Sequence, residues 1–314
     1  MHAGLPREVS AGMSLVSVPS ANVVCGRYRF IGDLRQLAGE AGTDQHSLWA
    51  RGPSPLKTAS WLEVLAGHPD QEYAAYIRSG IQWGFRVGFV RGSIRLKSCS
   101  SNHPSAVAGG EVVKTYLNVE CDAGRLVGPL APTDLQGVHI SPIGLVPKSE
   151  PNQWRMIVDL SHPRGRSVND GISSEVASVS YASVDDAVQL VLKLGKGTLL
   201  AKLDLKQAYR QVPIHPQDQH LFGICWEGRV YVDRVLPFGL RSAPKIFTAV
   251  SDMIAWAFHK WGIEEHIRYF DDFLILGRPG SNAAQNSLEG ALQALDYLGV
   301  PVSWNKTEGP DIRA

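Results

Sequence analysis

Ile267-Arg268-Tyr269-Phe270-Asp271-Asp272-Phe273-Leu274-Ile275-Leu276 sets two apolar runs, rich in aromatic and branched residues, on either side of adjacent aspartates. Runs of this kind read as the arms of a tight β-hairpin, with carboxylates at the turn in place of the usual Asn-Gly or Asp-Gly. Adjacent acids repel each other and weaken a strand, and a bound divalent cation would offset that repulsion. An Asp-Asp turn alone is more often plain solvation. Its meaning comes from what precedes it.

Upstream, Leu199-Leu200-Ala201-Lys202-Leu203-Asp204-Leu205-Lys206-Gln207-Ala208-Tyr209 is an apolar strand running into a single acid, then a turn with an aromatic five residues on. An Asp at a strand end can be a helix cap. Two features oppose that here: the run is too apolar for a surface strand, and a second carboxylate strand follows at Asp271-Asp272. Three carboxylates converging from neighbouring strands are what is needed to hold two Mg²⁺ ions about 4 Å apart for an in-line phosphoryl displacement. One ion lowers the pKa of an attacking hydroxyl, and the other steadies a leaving pyrophosphate.

Earlier still, the β-rich segments His139–Pro147 and Gln153–Leu160 flank Lys148-Ser149-Glu150-Pro151-Asn152, a hairpin turn signal. Lys148 and Arg155 stand on its two sides. They read either as ordinary surface charges or as two cations that hold a triphosphate, Arg bidentate and Lys as a point charge.

The rest of the chain sets bounds. Its 314 residues are 44% hydrophobic and 19% charged, enough for one large or two ordinary domains with a real core. A net charge of +1 says nothing about nucleic acid, but its distribution says more. No acid falls between Glu72 and Glu111, whereas Arg78, Arg86, Arg91, Arg95 and Lys97 do. Such a stretch is either a solvated face or a track for phosphates. Cys25, Cys99, Cys121 and Cys225 form no CxxC pair, which argues against a disulfide framework or zinc site and for a reducing, intracellular compartment. No secretory signal and no apolar run long enough to span a membrane is found.

Residues 1–60 are rich in Gly, Ser, Ala and Pro, and Trp49–Pro55 (WARGPSP) reads as a linker. A helix is expected from Pro69-Asp70 to Gly80 or Gly84, a short strand over Phe85, Val87 and Phe89, and a second helix over about 105–123. Pro129–Thr133 reads as a break and Pro163–Gly171 as a loop. Further helices are expected at about 183–194, 242–260 and 283–298, and strands within 138–160 and 220–235. Gly195-Lys196-Gly197-Thr198 lacks the spacing of a P-loop.

Four segments in order carry a resemblance: Trp154–Leu160 (WRMIVDL), Leu203–Ile214 (LDLKQAYRQVPI), Leu236–Phe247 (LPFGLRSAPKIF) and Tyr269–Asp272 (YFDD). Over about 136–310 the chain resembles a reverse transcriptase. The LPFGL form is similar to gypsy-type elements, and residues 68–130 are similar to the segment preceding the polymerase in DIRS-type (tyrosine-recombinase) retrotransposons. The resemblance implies an α+β fold with the fingers and part of the palm of a right-hand polymerase. The expected organisation is an N-terminal segment 1–60, a helical extension 61–135, and fingers and palm over 136–314. It also implies RNA-directed DNA polymerase activity with two Mg²⁺ ions (Mn²⁺ as a substitute), a primed RNA or DNA template and deoxynucleoside triphosphates.

Carried over residue by residue, Asp204, Asp271 and Asp272 match the catalytic, metal-binding carboxylates, and the Leu205 carbonyl matches the backbone metal ligand. Lys148 and Arg155 match the pair that grips the triphosphate. Tyr209 matches the aromatic gate that occupies the space of a ribose 2′-OH. Phe238 stands where retroviral enzymes carry glutamine, so it can pack against a nucleotide but cannot hydrogen-bond to it. Lys306, within Leu298–Lys306, aligns with a palm lysine assigned to pyrophosphate protonation. The resemblance stops before a primer grip, thumb or RNase H domain, and the expectation is a C-terminally truncated polymerase. The alternative is a nucleic-acid-binding remnant without turnover.

Overall fold

The computed structural model describes residues 49–134, 137–148, 152–179 and 181–312. Readings that fall on residues 1–48, and on Ser149-Glu150-Pro151 of the expected turn, lie outside these.

In chain order the elements are α1 (Thr58–Ala66), α2 (Gln71–Trp83), α3 (Pro104–Ala108), α4 (Gly110–Asp122) and β1 (Leu126–Leu130). Next come β2 (Ile143–Pro147), β3 (Trp154–Val158), α5 (Ser174–Ala177), α6 (Val184–Leu194) and β4 (Leu199–Asp204). The remainder is α7 (Pro216–Gln219), β5 (Gly223–Trp226), β6 (Arg229–Asp233), α8 (Ala243–Lys260), β7 (His266–Tyr269), β8 (Asp272–Gly277), α9 (Ala283–Leu298) and β9 (Glu308–Asp311).

The helix starts follow from capping chemistry. The Asp70 carboxylate accepts the Tyr73 backbone N–H at 2.9 Å to open α2, and Ser183 with Asp186 forms a reciprocal capping box on α6. The helix expected over 105–123 is instead two, α3 and α4, joined at Gly109. A Cβ there would lie 2.4 Å from the Leu145 side chain, so β2 approaches the joint too closely for any larger residue. The strand expected at Phe85–Phe89 is also corrected. Gly84 and Gly88 take positive φ, which breaks the ladder into isolated bridges from Phe85 to Ile214 and from Phe89 to Ile172.

Three antiparallel assemblies carry the site. The largest has strand order β7-β8-β4-β9, and β4 pairs β8 from Leu199↔Gly277 to Asp204↔Asp272. Ala201, Leu203, Phe273 and Ile275 from the two central strands are fully buried. Helix α9 packs against β8 and β4, and α8 packs against β7 and α9. Phe247, Val250, Ile254 and Phe258 form the buried stripe of α8, as the helical spacing predicts. The hairpin β2–β3 stands apart, and β1-β6-β5 forms the third sheet. β1 covers the expected break at Pro129. Proline is tolerated there because β1 lies at the sheet edge.

Among the described residues, the main hydrophobic core runs from Leu56 to Val300, beside a small second cluster at Val230 and Val232. The stretch that reads as a linker is laid onto it. Arg234 Nη2 donates to the Ala50 and Arg51 carbonyls at 3.1 and 2.7 Å, and Ser54 Oγ donates to the Gln211 carbonyl at 2.6 Å. The Lys57 N–H and the Trp61 indole N–H both end on the Leu298 carbonyl, at 2.9 and 3.0 Å. Glycine and proline in this stretch mark irregular backbone; they do not mark a lack of tertiary contact. Among the described residues, no helix is long and apolar enough to cross a membrane.

Candidate active site

The β7–β8 hairpin closes through Phe270 and Asp271, because Tyr269↔Asp272 is already a strand pair. The sequence pattern predicts both aspartates in the turn; the structure puts one in the turn and the other at the head of β8. Phe270 takes φ 58, a left-handed conformation that is uncommon for an aromatic residue. Its surroundings hold it there. Its ring lies 5.4 Å from that of Tyr209 and 5.1 Å from that of Phe247, and its carbonyl accepts the Ser251 hydroxyl at 2.8 Å. Asp272 then faces Asp204 across the β4–β8 register, while the Leu205 N–H donates to the Asp271 carbonyl at 2.9 Å and ties the end of β4 to the turn. Register brings two carboxylates together, and the turn adds the third.

The site is electrostatically crowded. Asp204 is only 6% exposed. Its Oδ2 lies 3.3 Å from Lys306 Nζ, and Asp272 Oδ1 lies 3.7 Å from Lys202 Nζ, an ion pair beyond hydrogen-bond distance. Burial pushes the Asp271 carboxyl above the ordinary carboxylate range, and the charges of Asp272 and Asp204 push it further. Asp272 is raised first by burial and also by Asp204, with Lys202 and Lys306 opposing. Asp272 Oδ1 is buried without a hydrogen bond.

Among the described residues, no three His, Cys, Asp or Glu side chains are already gathered as a metal cage; Lys306 and Lys202 engage two of the three acids. The donor chemistry nonetheless fits a hard divalent cation. It offers three mutually repelling carboxylates, one orphaned oxygen and the Leu205 carbonyl, on which no hydrogen bond from a described residue ends.

Beside the acids lies an aromatic floor. The Tyr209 ring sits 5.3 Å from Phe238 and 5.9 Å from Phe247. Burial raises the Tyr209 hydroxyl well above its ordinary range, so it stays a neutral phenol. The Arg155 guanidinium lies 5.0 Å above the Phe238 ring. In β2–β3, Val146 pairs with Arg155. Lys148, two residues on from Val146, projects from the same face as Arg155. Its Nζ reaches Gln153 Oε1 at 3.4 Å. Gly239 takes φ +101, and a Cβ on it would meet the Val158 carbonyl at 2.4 Å, so the Leu236–Leu240 segment is seated directly on β3.

The structure thus brings Asp204, Leu205, Asp271, Asp272 and Lys306 together and sets Tyr209, Phe238 and Arg155 in one contiguous group. Sequence reasoning missed Lys202, which a strand register would have placed near Asp272, and the brace around Arg210. That guanidinium is buried between Glu120 and Asp233, with Nη1 2.9 Å from both Asp233 oxygens and Nε 3.0 Å from Glu120 Oε2. No local pattern signals it.

A family of known chemistry accounts for this arrangement. The profile described as "Reverse transcriptase (RNA-dependent DNA polymerase)" matches residues 146–310, just over half of the 314, and the chain belongs to that family. It is 26% identical over 175 residues to the Gag-Pro-Pol polyprotein of Mason-Pfizer monkey virus, covering 52% of this chain and 9% of that protein. Over 193 residues it is 25% identical to the Transposon Tf2-3 polyprotein of Schizosaccharomyces pombe, covering 61% and 13% respectively.

Among solved structures, a foamy viral protease–reverse transcriptase in complex with double-stranded DNA superposes with a TM-score of 0.56 at 18% identity, covering 87% of this chain and 46% of that one. Another, in complex with an RNA/DNA hybrid, gives 0.54 at 19%, covering 79% and 33%. The fold is α+β, with the fingers and palm architecture of these enzymes. The chain spans about a tenth of the polyproteins and less than half of these two solved chains.

Proposed function

We propose that this chain is the fingers-and-palm core of an RNA-directed DNA polymerase that adds deoxynucleotides to a primer 3′-OH. One observation carries the reading. In a chain of the reverse transcriptase family, Asp204 and Asp272 are strand partners and Asp271 occupies the adjoining turn.

Reverse transcriptases generally use divalent metal ions, and here Asp204, Asp271, Asp272 and the Leu205 carbonyl would hold two Mg²⁺, with Mn²⁺ as a substitute. When bound, these ions supply Lewis-acid activation of the primer hydroxyl and neutralise charge on the leaving pyrophosphate. The protein's own residues do the rest. Lys148 and Arg155, on one face of the fingers hairpin, grip the triphosphate. The Tyr209 ring, wedged between Phe238, Phe247 and Phe270, fills the volume a 2′-OH would need and so selects deoxynucleotides. Phe238 packs against the nucleotide. Lys306, beside Asp204, delivers a proton to the pyrophosphate.

Primer extension on an RNA template, with deoxynucleotides and Mg²⁺ or Mn²⁺, tests this. Incorporation should fall on the order of 10³-fold or more in Asp204→Ala, with an unchanged unfolding temperature. An Asp271→Ala chain that extends primers at the normal rate would falsify the assignment. Salt-sensitive RNA binding without any incorporation by the unaltered chain would point instead to a non-catalytic binding role.

A further inference from the structure

The acid-free stretch between Glu72 and Glu111 does not act as one surface. Arg86 is used inside the fold, its Nε 2.9 Å from the buried Asp218. Arg91, Arg95 and Lys97 remain exposed, and the loop after β3 adds exposed Arg164 and Arg166. The two segments are stitched together. The Lys97 N–H donates to the Arg166 carbonyl at 3.0 Å, Arg166 Nε donates to the Arg95 carbonyl at 3.1 Å, and the Val90 N–H donates to the Gly171 carbonyl at 2.9 Å.

The result is a ridge of five cations, none of which forms an ion pair with a described residue. Arg91 Nη2 reaches only the Gln217 carbonyl, at 3.2 Å. The nearby acid in this loop, Asp170, is taken up by the Ser167 hydroxyl and backbone N–H at 2.6 and 3.0 Å. The positive field is felt inward as well: burial first, then Arg91, holds His220 below its ordinary range.

The position of the ridge gives it meaning. Asn169, in the same loop, donates to the Gly239 carbonyl at 2.8 Å and accepts the Arg241 N–H at 2.8 Å. The loop therefore braces the segment that carries Phe238, on the side where β3 sets Arg155 over that ring. If the primer terminus lies at the carboxylates and the incoming nucleotide against Phe238, unpaired template still to be copied must pass beyond the nucleotide on this fingers side.

Resting on the polymerase reading, we propose that Arg91, Arg95, Lys97, Arg164 and Arg166 form a track for the phosphodiester backbone of the single-stranded template ahead of the site. Three of the five, Arg91, Arg95 and Lys97, stand in the segment 49–134, upstream of the family match, so the extension contributes directly to holding the template. The ridge reads charge and not sequence, because every side chain in it is cationic and no aromatic face is exposed among them.

The test uses the full chain with Arg95→Gln, Lys97→Gln and Arg164→Gln combined. These side chains make no hydrogen bond that holds the ridge together. Binding is followed by fluorescence anisotropy with a blunt RNA/DNA hybrid and with the same hybrid carrying 5′ template overhangs of about 2 to 10 nucleotides, as RNA or as DNA, at salt from about 50 to 200 mM.

The unaltered chain should bind more tightly as the overhang grows. The triple variant should lose that gain, about 10–100-fold on the longest overhang, and its salt slope there should be shallower by about 2. Blunt-hybrid affinity and unfolding temperature should match those of the unaltered chain. A variant that keeps the full overhang gain, or an unaltered chain that shows none, overturns the track. An overhang gain in a chain that incorporates no nucleotide would sink the polymerase reading and leave the track standing.

Discussion

The clearest case at the level of single residues is Arg210. It follows Tyr209 in chain and is buried with Glu120 and Asp233, 90 and 23 residues away in sequence. Arg125 adds a second cation to Glu120 at 2.7 Å. The turn that presents the Tyr209 ring is thereby pinned to α4 and to the end of β6. Removing the guanidinium leaves buried Asp233 without its cation, which typically costs 3–5 kcal/mol. Arg210→Met should therefore lower the unfolding temperature by roughly 10 °C, read by circular dichroism. The three aspartates were legible in the sequence because each interrupts an apolar run, a placement that needs a reason. Arg210 was not, since nothing near it in sequence announces burial and its partners come from distant elements.

At the scale of elements, the Leu236–Leu240 segment that carries Phe238 depends on one close approach. Gly239 combines a left-handed φ with contact to the Val158 carbonyl, so Gly239→Ala must displace either the segment or β3. The Michaelis constant for deoxynucleotides should rise by about tenfold, with a stability loss of about 2 kcal/mol. Gly262→Ala serves as the control: its φ is +76 but no atom lies within 4 Å of the added carbon, so only backbone strain of about 1 kcal/mol should register, with the Michaelis constant unchanged. A tenfold change in both variants would rule out the contact as the cause.

α2 and α6, each with an apolar stripe and a capping side chain, were readable because periodicity and cap chemistry point to the same bounds, and α8 was readable from its stripe alone. β1 was hidden, since Gly128 and Pro129 mimic a break and only its position at a sheet edge makes it a strand. The joint between α3 and α4 was equally hidden. Gly109-Gly110 sits within a helical pattern, and the cause of the interruption, Leu145, comes from another element.

For the molecule as a whole, stability should depend on pH through histidines held neutral inside it. Burial lowers His139 and His266 to about 4. Neutral His266 fits its site, where Nδ1 lies 3.0 Å from the Ile263 carbonyl. In the unfolded chain both titrate near 6.5. The stability they represent is therefore present above that pH and lost as pH falls from about 6.5 towards 4, at about 2 kcal/mol each by pH 5. Thermal melts at pH 7.5 and 5 should show the drop, and His266→Gln should flatten it; identical melts at the two values would remove these groups as the cause.

Fingers and palm as an architecture were legible from the order of four short segments. The seating of Trp49–Lys57 was not, because irregular backbone carries no periodic signal of what it touches. That seating also sets a timetable for synthesis. Trp61 and the Leu298 carbonyl it bonds are 237 residues apart, so at ~5–20 residues per second the nascent chain waits on the order of 10–50 s for its partner to leave the ribosome. Until then the indole and Leu65, both fully buried in the finished protein, have nowhere to go. This part of the core can close only late, and a chaperone would find its binding site at the beginning of the core.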